Sequence, residues 1–432
     1  MKKKVSPNAV FFVVIGVLFC VFLAQIYYFA PGNAWLLLFP DPDDSYMDFF
    51  NVLVSVGSGY PYECGGLFLY PPFTALMILF FVPFIPAPLA DSLRSGIVPG
   101  ASNIQFINQN ALLMRNSRYG MLAFGIFMAV SVIFIALLIT VISKGKIPER
   151  VFILMLILLS APFLFEYQRG NTILLAVVFL LFFLHFKDSE SPILRELALV
   201  SLACAAGIKI YPALFGLLLL RKKRWFDSIR ALCYGLIVMF VPFVFFGGTD
   251  ALGKLIETLR SSTEATYGQG LYYQVNLTNF LRVLGMQFGC PDMSVIRSGQ
   301  IMSYILLALS VPAVMLSRKQ WKAIAIISFA VILVPGFNFY YALCYAVIPV
   351  LFFLKEREAG PTGYFYAVGL AVLLSPAYFG VIREIQGVSI GKFPLTVACV
   401  IQSGFCIIMI LSLIAESYIF SLTLTGTKNT IE

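Results

Sequence analysis

Apolar segments about as long as a bilayer is thick recur along the whole chain, with short polar connections between them. A helix needs roughly 20 apolar residues to cross the hydrocarbon core of a membrane. The pattern therefore predicts an all-α, polytopic integral membrane protein with about twelve transmembrane helices. It also predicts a single membrane domain over residues 1–432. The predicted helices lie near residues 9–30, 119–142, 151–166, 171–187, 196–208, 210–220, 229–247, 302–317, 321–336, 339–354, 363–381 and 394–416.

Clusters of Lys and Arg indicate how these helices are oriented. They occur between apolar segments near residues 144–150, 187–195, 221–224, 318–322 and 355–357. Basic residues favour the cytoplasmic side, so we expect these clusters and both termini there, in what we take to be a bacterial cytoplasmic membrane. The number of crossings between two clusters must then be even. The proline-rich apolar stretch from Tyr70 to Pro88 is therefore predicted to be a re-entrant or juxtamembrane hairpin.

The composition supports a membrane protein and excludes other classes. Of the 432 residues, 60% are hydrophobic and 12% are charged, about half the charged share of a soluble domain. The net charge of +9 falls in clusters between apolar segments, so it indicates topology and not nucleic-acid binding. The eight cysteines form no CxxC pair and no metal-ligand cluster is evident, so we expect neither a metal nor a cofactor.

Polar residues that interrupt the apolar segments gather on the predicted external side. This side receives an acidic first external loop, at about residues 31–118, and a long external loop, at about residues 248–300. Polar groups at membrane depth are costly, and their presence usually marks a functional site. The pattern therefore predicts a catalytic site on the external or periplasmic face.

Asp44 and Asp48 in the first external loop are candidate catalytic acids. Their spacing of four residues would place both carboxylates on one face of a helix. A carboxylate in this position could act as a general base on a hydroxyl group. The alternative is that both acids only stabilise the start of a helix, where negative side chains are favourable.

Five short motifs, in order along the chain, resemble those of glycosyltransferase family 87. They are an Asp-Phe pair in the first loop, Gly-x-Pro-Tyr ending at Tyr62, Tyr-Pro-Pro from Tyr70, Gln-x-x-Asn formed by Gln168 and Asn171, and Lys-x-x-Pro from Lys209. The resemblance covers roughly the first 230 residues. The family belongs to the GT-C class of membrane glycosyltransferases that use polyprenyl-phosphate sugars, and mannosyltransferases of bacterial lipoglycan synthesis are among its members.

The resemblance implies a GT-C-like fold among membrane lipids and an inverting transfer of one sugar. A mannose-like hexose or a pentose would pass from a polyprenyl-phosphate sugar to a lipid- or glycan-linked hydroxyl, with Asp44 or Asp48 as the base. The donor phosphate and lipid would be bound by Lys209, Arg169, Gln168, Asn171, Tyr211 and Arg383. Further contacts to the substrates would come from Tyr62, Tyr70, Asn338, Tyr340 and Tyr273.

Other interpretations stay open at this point. Lys209 could extend from a helix end towards water, Gln168 and Asn171 could only cap the next helix, and Tyr340 could be an interfacial aromatic residue. A transporter or lipid flippase would also have many helices, although the two halves of this chain do not resemble each other. A polysaccharide polymerase or ligase would share the lipid-linked donor but would transfer many sugars at once.

Overall fold

The computed structural model describes residues 5–29, 42–268, 273–290, 292–356, 358–375, 387–390 and 393–428. Helices make up most of this part of the chain, as the apolar pattern predicts. The helices of the first half are α1 Pro7–Phe29, α2 Met47–Gly57, α3 Pro72–Leu79, α4 Ala87–Gly96, α5 Ile104–Arg115, α6 Arg118–Ile142, α7 Ile147–Leu158, α8 Ala161–Arg169, α9 Ile173–Phe186 and α10 Pro192–Ile208.

The second half is also helical, with one short hairpin near its end. Its helices are α11 Leu217–Arg221, α12 Trp225–Phe240, α13 Gly248–Gly268, α14 Leu277–Gln287, α15 Asp292–Leu316, α16 Gln320–Leu333, α17 Cys344–Glu356, α18 Pro361–Leu374 and α19 Val397–Lys428. Strands β1 Gly387–Ile390 and β2 Phe393–Thr396 pair antiparallel, with Gly387 opposite Thr396. Short 3-10 helices occupy Pro61–Glu63, Gly65–Leu67, Val82–Phe84, Tyr211–Gly216, Val241–Phe245 and Tyr340–Leu343.

Several helices are those of an integral membrane protein. Five candidate spans are long and apolar enough to cross a bilayer: Pro7–Tyr28, Arg118–Ile142, Trp225–Phe245, Asp292–Leu316 and Ala398–Ser421. The pair α7 and α8 qualifies as a sixth span, bent by 54° at the break between them. Pro162 lies in the first turn of α8, where its missing amide hydrogen and its ring prevent α7 from continuing.

The prediction of about twelve crossings is not confirmed. Among the described residues, five or six candidate spans are long and apolar enough to cross a bilayer. Several of the other predicted crossings form shorter helices. Helix α9, with 14 residues, is roughly 21 Å long, whereas the hydrocarbon core is about 30 Å thick. The segment predicted at 210–220 forms a 3-10 helix followed by the five-residue α11. Apolar composition therefore overestimated the number of long helices.

Helices α13, α14 and the start of α15 occupy most of the connection predicted at 248–300, and its place on the external side stays a prediction. These helices carry a polar face, so their mean hydropathy does not reveal them. The helix predicted from residue 302 begins ten residues earlier, at Asp292. Residues 70–88, predicted to be a hairpin, form α3, a 3-10 helix and the start of α4, and the depth of this segment in a membrane stays a prediction.

Two hydrophobic clusters organise the fold. The larger one is the helix bundle around α9, α16 and α17, whose side chains are buried on almost every side of each helix. Helices that are apolar all round are typical of the interior of such a bundle. The smaller one, the first-loop cluster, packs Phe49 and Phe50 of α2 against Phe124 and Phe127 of α6. The boundary between the two clusters holds the polar residues described below.

Candidate active site

A cavity of about 520 Å³ lies where the first-loop cluster meets the helix bundle. Its walls come from the first loop, the end of α8, the connection between α10 and α11, and the segment that precedes α17. Cavities of this size hold small organic ligands. The polar side chains that line it are Asp44, Asp48, Asn51, Tyr70, Asn108, Arg169, Asn171, Lys209, Tyr211 and Tyr341.

Arg169, the last residue of α8, joins the two candidate acids. Its guanidinium forms ion pairs with Asp44 and with Asp48, the latter at 2.5 Å. The side chains of Arg169 and Asp48 are 13% and 14% exposed, whereas that of Asp44 is 45% exposed. The amide of Tyr46 also donates to the carbonyl of Gln168 at 2.6 Å. These contacts fix the first loop against α8 and orient the carboxylate of Asp48.

Gly170 ends α8 and turns the chain along the cavity wall. Its φ of 67° is left-handed, a conformation that glycine adopts without steric cost. A Cβ atom at this position would lie 2.8 Å from the ring of Phe124 and 3.3 Å from Phe49. The absence of a side chain therefore allows the turn that brings both Arg169 and Asn171 to the cavity.

Asn171 connects the base candidate to the Tyr-Pro-Pro motif. Its Nδ2 donates to Asp48 Oδ2 at 2.7 Å and to the hydroxyl of Tyr70 at 2.9 Å. Its Oδ1 accepts a hydrogen bond from the amide of Ile173 at 3.1 Å, in the first turn of α9. Asn171 thus contacts the first turn of α9 and also lines the cavity, so a capping contact does not exclude a position in the site.

The Tyr-Pro-Pro motif places Tyr70 beside the end of α10. Pro72 is the first residue of α3, a position that suits proline because the amide there has no partner within the helix. Thr74, one turn into α3, donates to the carbonyl of Ile208 at 3.3 Å. Burial raises the pKa of the Tyr70 hydroxyl, and the charge of Asp48 adds to this shift. Tyr70 is therefore a neutral hydroxyl at the cavity wall.

Lys209 follows the last residue of α10 and extends into the cavity. Its Nζ atom lies 4.4 Å from the ring centre of Tyr70 and 5.5 Å from that of Tyr341, positions that suit a cation over aromatic faces. Burial lowers the pKa of Lys209 to about 8, while the charges of Asp48 and Glu166 act in the opposite direction. The side chain is thus a cation near neutral pH, held inside the site and not directed to open water.

Residues 68–337 match the model of glycosyltransferase family 87. The match covers more than half of the 432 residues. The chain belongs to glycosyltransferase family 87. This confirms the family that the sequence motifs indicated, and the protein is therefore a glycosyltransferase. Comparisons with curated proteins and with solved structures each returned no match.

The family match includes most of the cavity but not the two acids. Tyr70, Arg169, Asn171 and Lys209 all lie within the matched residues, whereas Asp44 and Asp48 precede them. Seven of the predicted site residues line the cavity: Asp44, Asp48, Tyr70, Arg169, Asn171, Lys209 and Tyr211. In this glycosyltransferase, predicted site residues from four separate segments therefore meet in one cavity.

Four residues predicted to contact substrate do not line the cavity, and the structure gives each a supporting position. The hydroxyl of Tyr62 donates to the carbonyl of Tyr70 at 3.2 Å within the first-loop cluster. Asn338 donates to the carbonyls at the end of α16, at 2.9 and 3.0 Å. The rings of Tyr340 and Tyr273 both pack against Phe165. These four residues therefore lie outside the cavity lining, and their contact with a substrate stays a prediction.

Gln168, another residue predicted to bind the donor, does not line the cavity. Its side chain is buried, and its Nε2 donates to the hydroxyl of Ser45 at 3.5 Å. Arg383 falls outside the residues that the structure describes. Of the cations predicted to bind the donor, Lys209 and Arg169 line the cavity.

Sequence reasoning missed four residues at or near the cavity, of which Asn108 lines it from α5. Asn51 lines it, and its position three residues after Asp48 on α2 was a helical-spacing signal that could have been used. Tyr341 lines it in place of Tyr340, a choice that no sequence signal indicates. Glu166 is fully buried near the cavity, and neither of its carboxylate oxygens has a hydrogen-bond partner among the described residues.

Proposed function

We propose that this glycosyltransferase moves a single mannose-like hexose, or a pentose, from a polyprenyl-phosphate sugar to a hydroxyl of a lipid- or glycan-linked acceptor. The observation that carries this proposal is that a carboxylate, Asp48, and a buried ammonium, Lys209, face the same cavity. Transfer from a sugar phosphate needs a base for the acceptor hydroxyl and positive charge for the departing phosphate. The cavity offers both.

Asp48 is the better candidate for the base. Its two oxygens are oriented by Arg169 and Asn171, which is the arrangement expected when a second group positions a general base. Its charge also acts on Lys209 and on the rings that face it, whereas that of Asp44 does not enter those interactions. Each carboxylate oxygen has a further lone pair, so Asp48 can still accept a substrate hydroxyl.

Lys209 is the better candidate for contact with the phosphate. Arg169 is already engaged with both acids, so its principal role is to orient Asp48. Lys209 forms no ion pair within 4.0 Å with a described residue and is surrounded by aromatic rings, so an incoming phosphate would supply the counter-charge. A buried group that stabilises the negative charge developing on a leaving group is effective in catalysis.

A neighbouring groove supports a lipid-linked donor. A second cavity of about 560 Å³ shares Ile210 with the active-site cavity and continues between α10, α11 and α12. Its lining is almost wholly apolar, and it includes Leu202, Leu217, Ile229 and Met239. A polyprenyl chain is a hydrocarbon, so burying it in this groove would be favourable. The connection at Ile210 would let the phosphate reach Lys209 while the chain stays in the groove.

The reaction can then be written with the residues of the cavity. The acceptor oxygen attacks the anomeric carbon and its proton passes to Asp48. The bond between that carbon and the phosphate oxygen breaks, and its electron pair stays on the polyprenyl phosphate, next to Lys209. Direct attack by one nucleophile inverts the anomeric centre. No covalent enzyme intermediate is required.

The cavity is expected on the external face of the membrane. Helix α9 begins next to Asn171 at the cavity and ends at Phe186, beside the basic residues Lys187 and Arg224. Basic ends of membrane helices favour the cytoplasm, so the opposite end of α9 would be external. A polyprenyl-phosphate sugar in the outer leaflet would reach the cavity from that side.

Donor transfer with matched acid variants tests the proposal. Purified protein would be supplied with a panel of radiolabelled polyprenyl-phosphate sugars and lipid or glycan acceptors. We expect transfer from one donor, and a loss of roughly 100-fold or more in Asp48→Asn, the range for removing a positioned general base. Asp43→Asn is the matched control, because Asp43 belongs to the same loop but does not line the cavity.

Asp44→Asn distinguishes the two acids. A small effect in Asp44→Asn beside a large one in Asp48→Asn would identify Asp48 as the base. The reverse order would assign that role to Asp44. Transfer that is equal in all four proteins, or absent with every donor in the wild-type protein, would contradict the proposal.

A further inference from the structure

A second polar cavity, the distal pocket, lies at the end of the helix bundle opposite the active site. Its volume is about 620 Å³. Helix α9 runs from the active site to this pocket, so the two are separated by about the length of that helix, roughly 21 Å. The polar side chains that line the distal pocket are Lys144, His185, Asp188, Gln320, Lys355 and Glu356.

Three of these side chains are bases brought together from three helices. Lys144 follows α6, His185 lies in the last turn of α9, and Lys355 lies in the last turn of α17. None of the three forms an ion pair within 4.0 Å with a described residue. The charges of Lys144 and Lys355 oppose each other. An anion in the pocket would relieve this repulsion.

The two carboxylates of the pocket do not supply that anion. Asp188 accepts hydrogen bonds from Lys187, from Lys222 at 2.7 Å and from Arg224 at 3.1 Å, so its charge is more than balanced. Glu356 accepts a hydrogen bond from the backbone amide of residue 321 at 2.9 Å, and its charge offsets only part of the repulsion, because Lys144 acts on Lys355 more strongly than Glu356 does. The surroundings of the pocket are therefore positive, and a phosphate has the charge and hydrogen-bond acceptors to match them.

The position of the pocket favours a phosphate that belongs to a lipid. It opens at the ends of apolar helices, where the headgroups of a bilayer lie. Phe352 forms part of its lining, and Ile147 and Phe152, at the start of the neighbouring α7, are 77% and 55% exposed. A ligand with a phosphate and an acyl chain would satisfy the bases and cover these side chains.

We propose that the distal pocket binds the headgroup of an anionic phospholipid through Lys144, Lys355 and His185. The proposal does not depend on which sugar the active site transfers. It assigns to the basic residues of this end a specific binding role in addition to their effect on topology. Bound lipid would tie the ends of α6, α9 and α17 together and so stabilise the bundle.

Thermal unfolding of the full chain in detergent tests this proposal. Short-chain phosphatidylglycerol should raise the Tm in a saturable manner, whereas short-chain phosphatidylcholine should not. Lys355→Gln should weaken the apparent affinity about fivefold, the effect of one basic residue at an anionic lipid surface. The matched control is Lys146→Gln, because Lys146 is an exposed lysine at the same end that does not line the pocket.

Lys144→Gln gives a second measurement, since Lys144 is exposed and its replacement should not impair folding. A weakening similar to that of Lys355→Gln would support the pocket. Three results would overturn the proposal. They are equal stabilisation by phosphatidylcholine, equal weakening in Lys146→Gln, and a full Tm increase with inorganic phosphate alone.

Discussion

Replacing Lys209 with arginine should extend the activity of this glycosyltransferase to higher pH. Burial lowers the pKa of Lys209 to about 8. With that pKa, about nine tenths of the side chains are charged at about pH 7 and about one tenth at about pH 9. If the cation stabilises the departing phosphate, wild-type activity should fall about tenfold for each pH unit above about 8.

The arginine variant keeps its charge over this range, because a guanidinium has a pKa above about 12. Its planar group can also stack on the rings of Tyr70 and Tyr341, which now hold the ammonium of Lys209. The activity of the variant should therefore decline at a higher pH than that of the wild-type protein, even if its maximal rate is lower. Lys209→Gln should lose roughly 100-fold at every pH, the cost of removing one group that stabilises developing charge.

The assay is the initial rate of sugar transfer at subsaturating donor, measured between about pH 6 and about pH 10. A Tm at each pH serves as the control, since loss of folded protein at high pH would imitate the titration. The reasoning would be refuted by a wild-type decline that Lys209→Arg shares unchanged. Full activity of Lys209→Gln would refute it as well.

Three further substitutions test the positions of individual residues. Asn171→Ala should lower the transfer rate about tenfold or more with little change in donor KM, because it frees the carboxylate of Asp48 from its 2.7 Å contact. An effect on KM alone would argue against a positioning role. Gly170→Ala should lower the unfolding free energy by about 2 kcal/mol in a chemical denaturation experiment, because the backbone is left-handed and the new Cβ would lie 2.8 Å from an aromatic ring. An unchanged unfolding free energy would contradict this packing. Tyr62→Phe should keep full transfer activity and lose about 1 kcal/mol of stability, because the hydrogen bond to the carbonyl of Tyr70 is lost. A strong loss of activity would instead indicate that Tyr62 contacts a substrate.

Much of the candidate site was predictable because its residues interrupt apolar segments. Asp48, Asn171 and Lys209 each stand at or near a helix end, where a polar side chain in a membrane protein needs a reason. That test uses only neighbouring residues, so a sequence is sufficient to apply it. It cannot decide whether two such residues face each other. The contact of Asn171 with Asp48 spans 123 positions in the chain.

The lengths of the helices, in contrast, could not be predicted from the apolar pattern. Hydropathy averages over a window, so it detects apolar composition and not the length of the helix that forms. The apolar stretch at 151–166 is broken near Ser160, and that at 210–220 is mostly a 3-10 helix. Amphipathic helices such as α13 have low mean hydropathy and were read as a loop. Packing against the rest of the bundle decides these lengths.

The sequence by itself determined that the chain is a membrane protein, which family it belongs to and which ionisable residues are candidates for chemistry, because these follow from composition, local spacing and short motifs. The tertiary structure decided which partners those residues have. Arg169 orients Asp48 as well as adding positive charge, and Tyr341, not its neighbour Tyr340, reaches the cavity. The physical reason is that side-chain direction and cavity shape depend on how segments far apart in the chain pack together.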